Sequence, residues 1–264
     1  MRTINAAPRV AAQPYRAKVN VVRRPRPPPV PYHAHPARTR SAAPDSMTDH
    51  RTRFLQLALE AEALRFGEFV LKSGRTSPYF FNAGRFDSGA RLAGLAACYA
   101  DALEEAGTQF DLLFGPAYKG IPLATALACE FARRGRDLPV AFDRKEPKAH
   151  GEGGSLIGAP MAGRRVLVVD DVITAGTAVR HALGLITAAG GTAAGIVIAL
   201  DRQEVVDASA TPRRSAAQAV AADNAIPVVA VAGLDDLLAF TSKNVKLSEE
   251  QARLRDYRGR YGAG

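Results

Sequence analysis

The chain has 264 residues, 47% of them hydrophobic, and a formal net charge of +9, enough apolar material for one sizeable core with or without an appendage. Residues 1–46 hold nine Lys and Arg against the single acid Asp45, so eight of the nine net charges lie there and the near-neutral remainder carries no nucleic-acid signal. No run of about 18 apolar residues offers a membrane span, no charged-then-apolar start resembles a secretory signal, and Cys98 and Cys129 sit among Ala and Leu as small core residues would, which fits a reducing cytoplasm.

Residues 1–46 also carry nine prolines, including Pro25-Arg26-Pro27-Pro28-Pro29-Val30-Pro31, and no sustained apolar period. Such a composition cannot bury enough surface to offset the entropy of ordering, so disorder with polyproline II character is expected. An RNA- or membrane-attracted arm, a polyproline ligand, and upstream sequence that is not translated, with Met47 as the start, all fit it. The folded domain is expected over 47–264.

From Thr48 or Asp49 a capped helix carries Phe54, Leu57, Ala61 and Leu64 on one face and is expected to stop at Gly67. Glu68–Leu71 and Pro78–Phe81 are short apolar segments bracketing Lys72–Ser77 and read as a hairpin. A helix follows over about 88–106, with Leu92, Leu95, Tyr99 and Leu103 inward. Asp111–Phe114 is a buried strand, Gly115–Gly120 its exit turn, Ile121–Ala132 a helix and Leu138–Phe142 a strand. In the exit turn, Gly115 and Gly120 permit close backbone approach and Lys119 offers a cation to a pyrophosphate; a plain strand-to-helix turn has the same pattern.

Residues 144–155 place Arg144, Lys145, Lys148 and His150 among three glycines. The segment is too polar to pack, and reads either as a mobile lid closing over a polyphosphate or as a solvated charged loop. Next comes the most informative stretch of the chain, Val166-Leu-Val-Val-Asp-Asp-Val-Ile-Thr-Ala-Gly-Thr-Ala178. Four apolar residues, three of them β-branched, predict a strand buried on both faces, with Asp170 and Asp171 at its exit. Thr174, Gly176 and Thr177 then open a helix with Val179, Leu183 and Ile186 on one face. Backbone N–H groups and hydroxyls meet there at a helix N-terminus, a phosphate site, with carboxylates alongside that can accept from sugar hydroxyls. Paired acids at a strand end also occur as solvated turns.

Strand Gly195–Leu200 ends in Asp201-Arg-Gln-Glu204, where Arg202 can fork onto a planar carboxylate or pair with its neighbouring acids. A polar helical stretch near 212–222, strand Pro227–Val231 and helix Leu234–Phe240 follow. A last helix starts after Ser248, whose spacing to Gln251 reads as a capping box. Strands alternating with helices predict a parallel α/β sheet built from right-handed crossovers, with ligands outside the carboxyl ends of its strands.

Residues 166–178 closely resemble the phosphoribosyl pyrophosphate (PRPP) motif of the type I phosphoribosyltransferases. Together with Lys72-Ser-Gly-Arg-x-Ser-Pro-Tyr-Phe-Phe81-Asn, Gly115-Pro-Ala-Tyr-Lys-Gly120, Arg144-Lys-Glu-x-Lys-x-His-Gly-Glu-Gly-Gly154 and Asp201-Arg-Gln-Glu204, they resemble the bacterial orotate phosphoribosyltransferases over residues 48–262. The resemblance implies a central parallel sheet flanked by helices with a small N-terminal hood, and transfer of phosphoribose from PRPP to orotate. It implies orotate binding by Lys72, Phe80, Phe81, Thr174 and Arg202. It implies PRPP binding by Tyr118, Lys119, Arg144, Lys145, Lys148, His150, Asp170, Asp171, Val172, Ile173, Thr174, Ala175, Gly176, Thr177 and Ala178, with Asp170 and Asp171 on the ribose hydroxyls. Lys72, Lys119, Lys148, His150, Asp170 and Asp171 form the implied catalytic set.

The resemblance further implies Mg²⁺ carried in on PRPP with no dedicated protein cage, a cytoplasmic homodimer sharing its lid between subunits, and a cis Ala117–Tyr118 peptide. No membrane or nucleic-acid partner is expected. Pro147 and Ala149 depart from the family pattern, which commonly has Ala and Asp there, and residues 1–46 have no counterpart in it. A phosphoribosyltransferase for a purine or another base and an RNA-binding regulator on the same fold are the alternatives; Arg202 speaks against a purine, which has no carboxylate.

Overall fold

The computed structural model describes residues 49–71, 73–148, 154–174, 176–206 and 211–263, with the backbone alone at 145–148 and 154. Helix α1 (His50–Glu60) buries Phe54, Leu55 and Ala58. It ends well before Gly67, contrary to expectation. The Ala61 N–H closes it on the Leu57 carbonyl, and Glu62, at φ 54°, turns the chain out of the helix. Leu64 therefore begins β1 (Leu64–Val70), and Gly67 lies in that strand at an irregularity between Phe66 and Phe69. β1 pairs antiparallel with β2 (Thr76–Phe81), and the two form a separate two-stranded hood.

Helix α2 (Gly89–Glu105) is capped by Ser88, whose Oγ accepts the Arg91 N–H. Then come β3 (Leu112–Gly115), α3 (Gly120–Arg133), β4 (Val140–Lys148), β5 (Gly154–Gly158), β6 (Arg165–Asp170), α4 (Thr177–Ala188), β7 (Thr192–Asp201), α5 (Ala216–Asn224), β8 (Val228–Gly233), α6 (Leu234–Ser242) and α7 (Ser248–Tyr261). The main sheet runs β5-β4-β3-β6-β7-β8, parallel throughout except for β5, which is antiparallel to β4 at the edge.

β6 explains why the sheet has three layers. Val166 to Val169 are fully buried, with Leu167 and Val169 packed into a core that includes residues of α1, α2 and α3, while Val166 and Val168 pack into a second core with residues of α4 and α5. A strand apolar on both faces suits a sheet covered on both sides. β3 leads to β4 on one side and has β6 on the other, so crossovers diverge between β3 and β6, which is where α/β sheets open a crevice for ligands.

Three further expectations are corrected. The segment 144–155 is not simply a loop: β4 continues through Lys148 and β5 starts at Gly154, so both ends are paired strand and only 149–153 lie outside the described residues. An edge hairpin accommodates so polar a sequence because one side of it needs no partner. Ser248 does not cap α7: it is already helical at φ −65° and ψ −34°, following the 3₁₀ turn Val245–Leu247, with Leu247 at the cap position. A capping box forms instead at α5, between Ser215 and Gln218. Cys98 is buried as expected, but Cys129 is exposed, and both are free thiols. The described residues belong to one compact unit, Met47–Gly264, and none of their helices is long and apolar enough to cross a membrane.

Candidate active site

The two loops flanking the β3–β6 crevice carry most of the predicted residues. In the β3–α3 loop the glycines serve the protein's own backbone: a Cβ on Gly120 would fall 2.7 Å from the Val169 carbonyl oxygen and 2.5 Å from Pro116. Glycine thus seats this loop directly on the end of β6. The Ala117–Tyr118 peptide is cis, as expected, and the Ala117 N–H donates to the Asp143 carboxylate from the neighbouring strand β4. Tyr118 is 67% exposed. Lys119 reaches across the crevice and places Nζ 2.6 Å from Asp171 Oδ2. Its side chain is half exposed, whereas that of Asp171 is 7% exposed, so a buried carboxylate meets a cation that solvent can reach.

Asp170 is held from two sides. Its Oδ1 accepts the Asp171 N–H at 2.9 Å, and its carbonyl accepts the Tyr99 hydroxyl at 2.8 Å. Burial, followed by the adjacent Asp171 carboxylate, pushes the Asp170 carboxyl up to about 7. The Asp171 carbonyl in turn accepts the N–H groups of Ala199 and Leu200 in β7, at 2.9 and 3.3 Å. Beyond it Val172 is half-buried, Ile173 buried and Thr174 exposed, while Ala175 lies outside the described residues.

Gly176 starts α4 with φ 67°, a conformation glycine adopts without strain. No side chain caps this helix. The leading N–H groups of α4 lack intrahelical partners and sit at the positive end of the helix dipole, beside the exposed Thr177 and Ala178. An anion fits there, at the far end of the loop that starts with Asp170 and Asp171.

Arg202 lies just past β7, the strand next to β6. Its Nε donates to Glu204 Oε1 at 2.8 Å, its Nη2 lies 2.6 Å from the same oxygen, and Nη2 also donates to Ser77 Oγ at 3.1 Å. The guanidinium carbon sits 4.5 Å from the centre of the Tyr79 ring. The predicted ion pair with a neighbouring acid is therefore present, and the hydrogen bond to Ser77 ties the end of β7 to the hood strand β2.

Phe80 and Phe81 point to opposite faces of β2. Phe81 is 8% exposed and packs on Phe54 and Phe86, whereas Phe80 lies against Phe69 and Arg65. A ligand touching both would meet the strand's backbone rather than both rings. Arg144 is half-buried on β4, next to Asp143. Lys72 and His150 lie outside the described residues, as do the side chains of Lys145 and Lys148.

Sequence reasoning missed the residues that hold these groups in place. Tyr99 carried only a core signal, from its inward helical position. Asp143 is 4% exposed and has His181 Nε2 at 3.6 Å; a buried acid at the end of an apolar strand was its one available signal. Ser77, Tyr79 and Glu204 were legible only as neighbours of the motif residues.

A phosphoribosyl transferase domain model matches residues 86–223. The orotate phosphoribosyltransferase of Xanthomonas campestris pv. campestris (strain B100) is 74% identical over 216 residues, covering 82% of this chain and 98% of that protein. That of Stenotrophomonas maltophilia (strain K279a) is 68% identical over the same length and coverage. Among solved structures, the orotate phosphoribosyltransferase of Francisella tularensis superposes with a TM-score of 0.71 at 40% identity, covering 80% of this chain and 96% of that one. With the PRPP motif at the crevice, an α/β sheet of the matching architecture and relatives aligned over nearly their whole length, the chain belongs to the orotate phosphoribosyltransferase family.

Proposed function

We propose that the residues gathered at the carboxyl ends of β3, β6 and β7 carry out the family's reaction in this chain. It transfers the 5-phosphoribosyl group from PRPP to N1 of orotate, releasing pyrophosphate and giving orotidine 5′-monophosphate for pyrimidine synthesis. The observation that carries this reading is the position of Arg202, a reader of planar carboxylates, one strand from a helix N-terminus and two acids suited to a phosphorylated sugar.

In this reading the 5′-phosphate takes the leading N–H groups of α4, with the loop from Val172 to Ala178 around it. Asp170 and Asp171 accept the ribose hydroxyls. Tyr118 and Lys119 face the pyrophosphate, and Arg144, Lys145, Lys148 and His150 close over it from the β4–β5 hairpin. Orotate lies between Lys72, the backbone of Phe80 and Phe81, Thr174 and Arg202. Breaking the bond at ribose C1 leaves a cation-like sugar and growing negative charge on pyrophosphate, so the chain needs placed charges more than a nucleophile. Lys119 supplies such a charge, and Asp171 holds its ammonium in the crevice until substrate arrives.

Magnesium fits this donor set as an ion carried in by PRPP. Asp170 and Asp171 offer hard carboxylate oxygens, and the polyphosphate offers the rest. When bound, the ion neutralises negative charge on the leaving group.

Residues 47–264 are the catalytic unit in this reading, residues 1–46 take no part in the reaction, and the enzyme is a cytoplasmic homodimer whose lid reaches its partner's site. The family likeness supports these points. The test is conversion of orotate by the purified chain with PRPP and Mg²⁺, in competition with adenine. Orotate consumption that adenine does not inhibit supports the reading; equal use of adenine overturns it. Arg202→Leu should weaken orotate by about 10- to 100-fold, the worth of a charge-assisted hydrogen bond, and PRPP hardly at all.

A further inference from the structure

Arg202 has two edges on which a carboxylate can dock, the Nε–Nη2 side and the Nη1–Nη2 end. In this structure the side edge is taken: Glu204 Oε1 lies 2.8 Å from Nε and 2.6 Å from Nη2. Ser77 Oγ accepts a further N–H of Nη2 at 3.1 Å, and the Tyr79 ring covers one face of the guanidinium. Nη1 makes no hydrogen bond at ordinary distance among the described residues, and the Tyr257 phenol, buried without a partner at such a distance, also faces Arg202 and Glu204. The side chains of Arg202 and Glu204 are only 14% and 13% exposed, and Ser77 is fully buried. The cluster is therefore rigid and largely dry, and its one uncommitted donor group is Nη1.

The geometry points to Glu204 and Ser77 as positioning residues for orotate recognition: they lock the side edge of Arg202 so that Nη1 is the donor left for the substrate carboxylate. This inference rests on Arg202 as the carboxylate reader. Three features favour positioning over a plain structural ion pair. Glu204 takes the side edge with a single oxygen and Ser77 takes the remaining N–H of Nη2, so between them they leave only Nη1 uncommitted. Ser77 is itself fixed, since its hydroxyl donates to the Tyr79 carbonyl at 2.7 Å, so its lone pairs are directed at Arg202. Tyr79 contributes a ring rather than a hydroxyl: its Oη is buried and has no hydrogen-bond partner among the described residues.

An unlocked guanidinium loses its entropic advantage, because a long side chain must then be ordered at the moment of binding. The effect falls on orotate alone, since PRPP brings no carboxylate.

Steady-state kinetics with each substrate varied, on Glu204→Gln, Glu204→Leu, Ser77→Ala and Arg202→Leu, test the inference. The Gln oxygen still accepts from Nε and Nη2, so Glu204→Gln should keep the orotate KM within about threefold, whereas Glu204→Leu should raise it about tenfold or more with the PRPP KM unmoved. Ser77→Ala should raise the orotate KM about three- to tenfold, again without PRPP. If Glu204→Leu fails to fold, Ser77→Ala decides the matter, since it leaves Arg202 paired. Equal movement of both KM values, or no movement of the orotate KM in either folded variant, overturns the inference. An orotate-selective loss in Arg202→Leu alone would leave the reading of Arg202 standing and remove Glu204 and Ser77 from it; no selective loss in Arg202→Leu would remove the reading itself.

Discussion

The Tyr99 hydroxyl donates to the Asp170 carbonyl at 2.8 Å, joining α2 to the exit of β6. The phenol is almost wholly buried, and burial, followed by the charges of Asp171 and Asp170, drives its pKa well up, so it remains a donor at every working pH. Tyr99→Phe keeps the ring and strips this carbonyl of its partner. A buried acceptor left unsatisfied costs about 1–3 kcal/mol, so urea unfolding should show a loss in that range. Because the carbonyl belongs to the residue assigned to ribose, the PRPP KM should rise more than the orotate KM. An unchanged unfolding midpoint and unchanged kinetics would remove Tyr99 from the site.

Asp170 yields a pH prediction. Burial, and then the Asp171 carboxylate, push its carboxyl up to about 7 in the folded chain, far above the ordinary carboxylate range. A raised carboxyl favours the protonated folded form, so this group's contribution to stability is full below the unfolded value and is lost as pH rises through the folded one. Recognition of ribose hydroxyls runs the other way, since the ionised carboxylate is the better acceptor. PRPP affinity should therefore fall on acidification below about 7, by at most roughly tenfold per pH unit for one proton. Calorimetric titration between pH 6 and 8 would measure it, with Asp170→Asn as the control for protonation of PRPP itself. A profile equally steep in Asp170→Asn would assign the effect to the ligand.

What could be read in the sequence follows from where the information is local. β6 and its exit are legible because Val166–Val169 are apolar on both faces and the turn into α4 needs Gly176 at positive φ, both visible as residue types in order. The end of α1 was not legible. Leu64 continues the helical spacing of Phe54, Leu57 and Ala61, and only the turn at Glu62 breaks it. β5 escaped notice because its partner β4 sets it, and the side chains of an edge hairpin need no apolar alternation. Cys129 misled through its apolar neighbours, since it lies on the outward face of α3. At the site, the chemistry-bearing groups Lys119, Asp170, Asp171 and Arg202 announced themselves as motif. The residues that hold them or their loops did not: Tyr99, Asp143 and Ser77 lie between 26 and 125 positions away from their partners Asp170, Ala117 and Arg202.

A lid shared between subunits, as proposed, predicts rescue between two inactive proteins. Lys148→Ala disables the lid, and Asp170→Asn with Asp171→Asn disables the ribose site. If the lid of each subunit serves its partner, the mixed dimer holds one site with both defects and one site with neither. Mixing after mild dissociation should then restore up to about a quarter of wild-type turnover, the share expected for random pairing of equal amounts with one good site in each hybrid. Turnover that stays at the level of the separate variants, or full activity in a monomer isolated by size exclusion, would exclude the shared arrangement.

Asp143 carries the last prediction. Its Oδ1 accepts the Ala117 N–H of the β3–α3 loop, while Oδ2 lies 3.6 Å from His181 Nε2 on α4. One buried carboxylate thus touches both the β3–α3 loop and helix α4, the two segments proposed to take the pyrophosphate and the 5′-phosphate. The two contacts are unequal. His181 has a side chain 61% exposed, and pairs so open to solvent contribute about 0–1 kcal/mol. The backbone N–H is the important partner, and an amide oxygen can accept it as well as a carboxylate can. Asp143→Asn should accordingly keep the PRPP KM within about threefold, while Asp143→Ala, which frees the loop and orphans its N–H, should raise it about tenfold or more with a smaller change for orotate. His181→Ala should behave as wild type. Were Asp143→Asn as damaging as Asp143→Ala, the charge and not the hydrogen bond would be holding the loop, and His181 would have to be re-examined as its counter-ion.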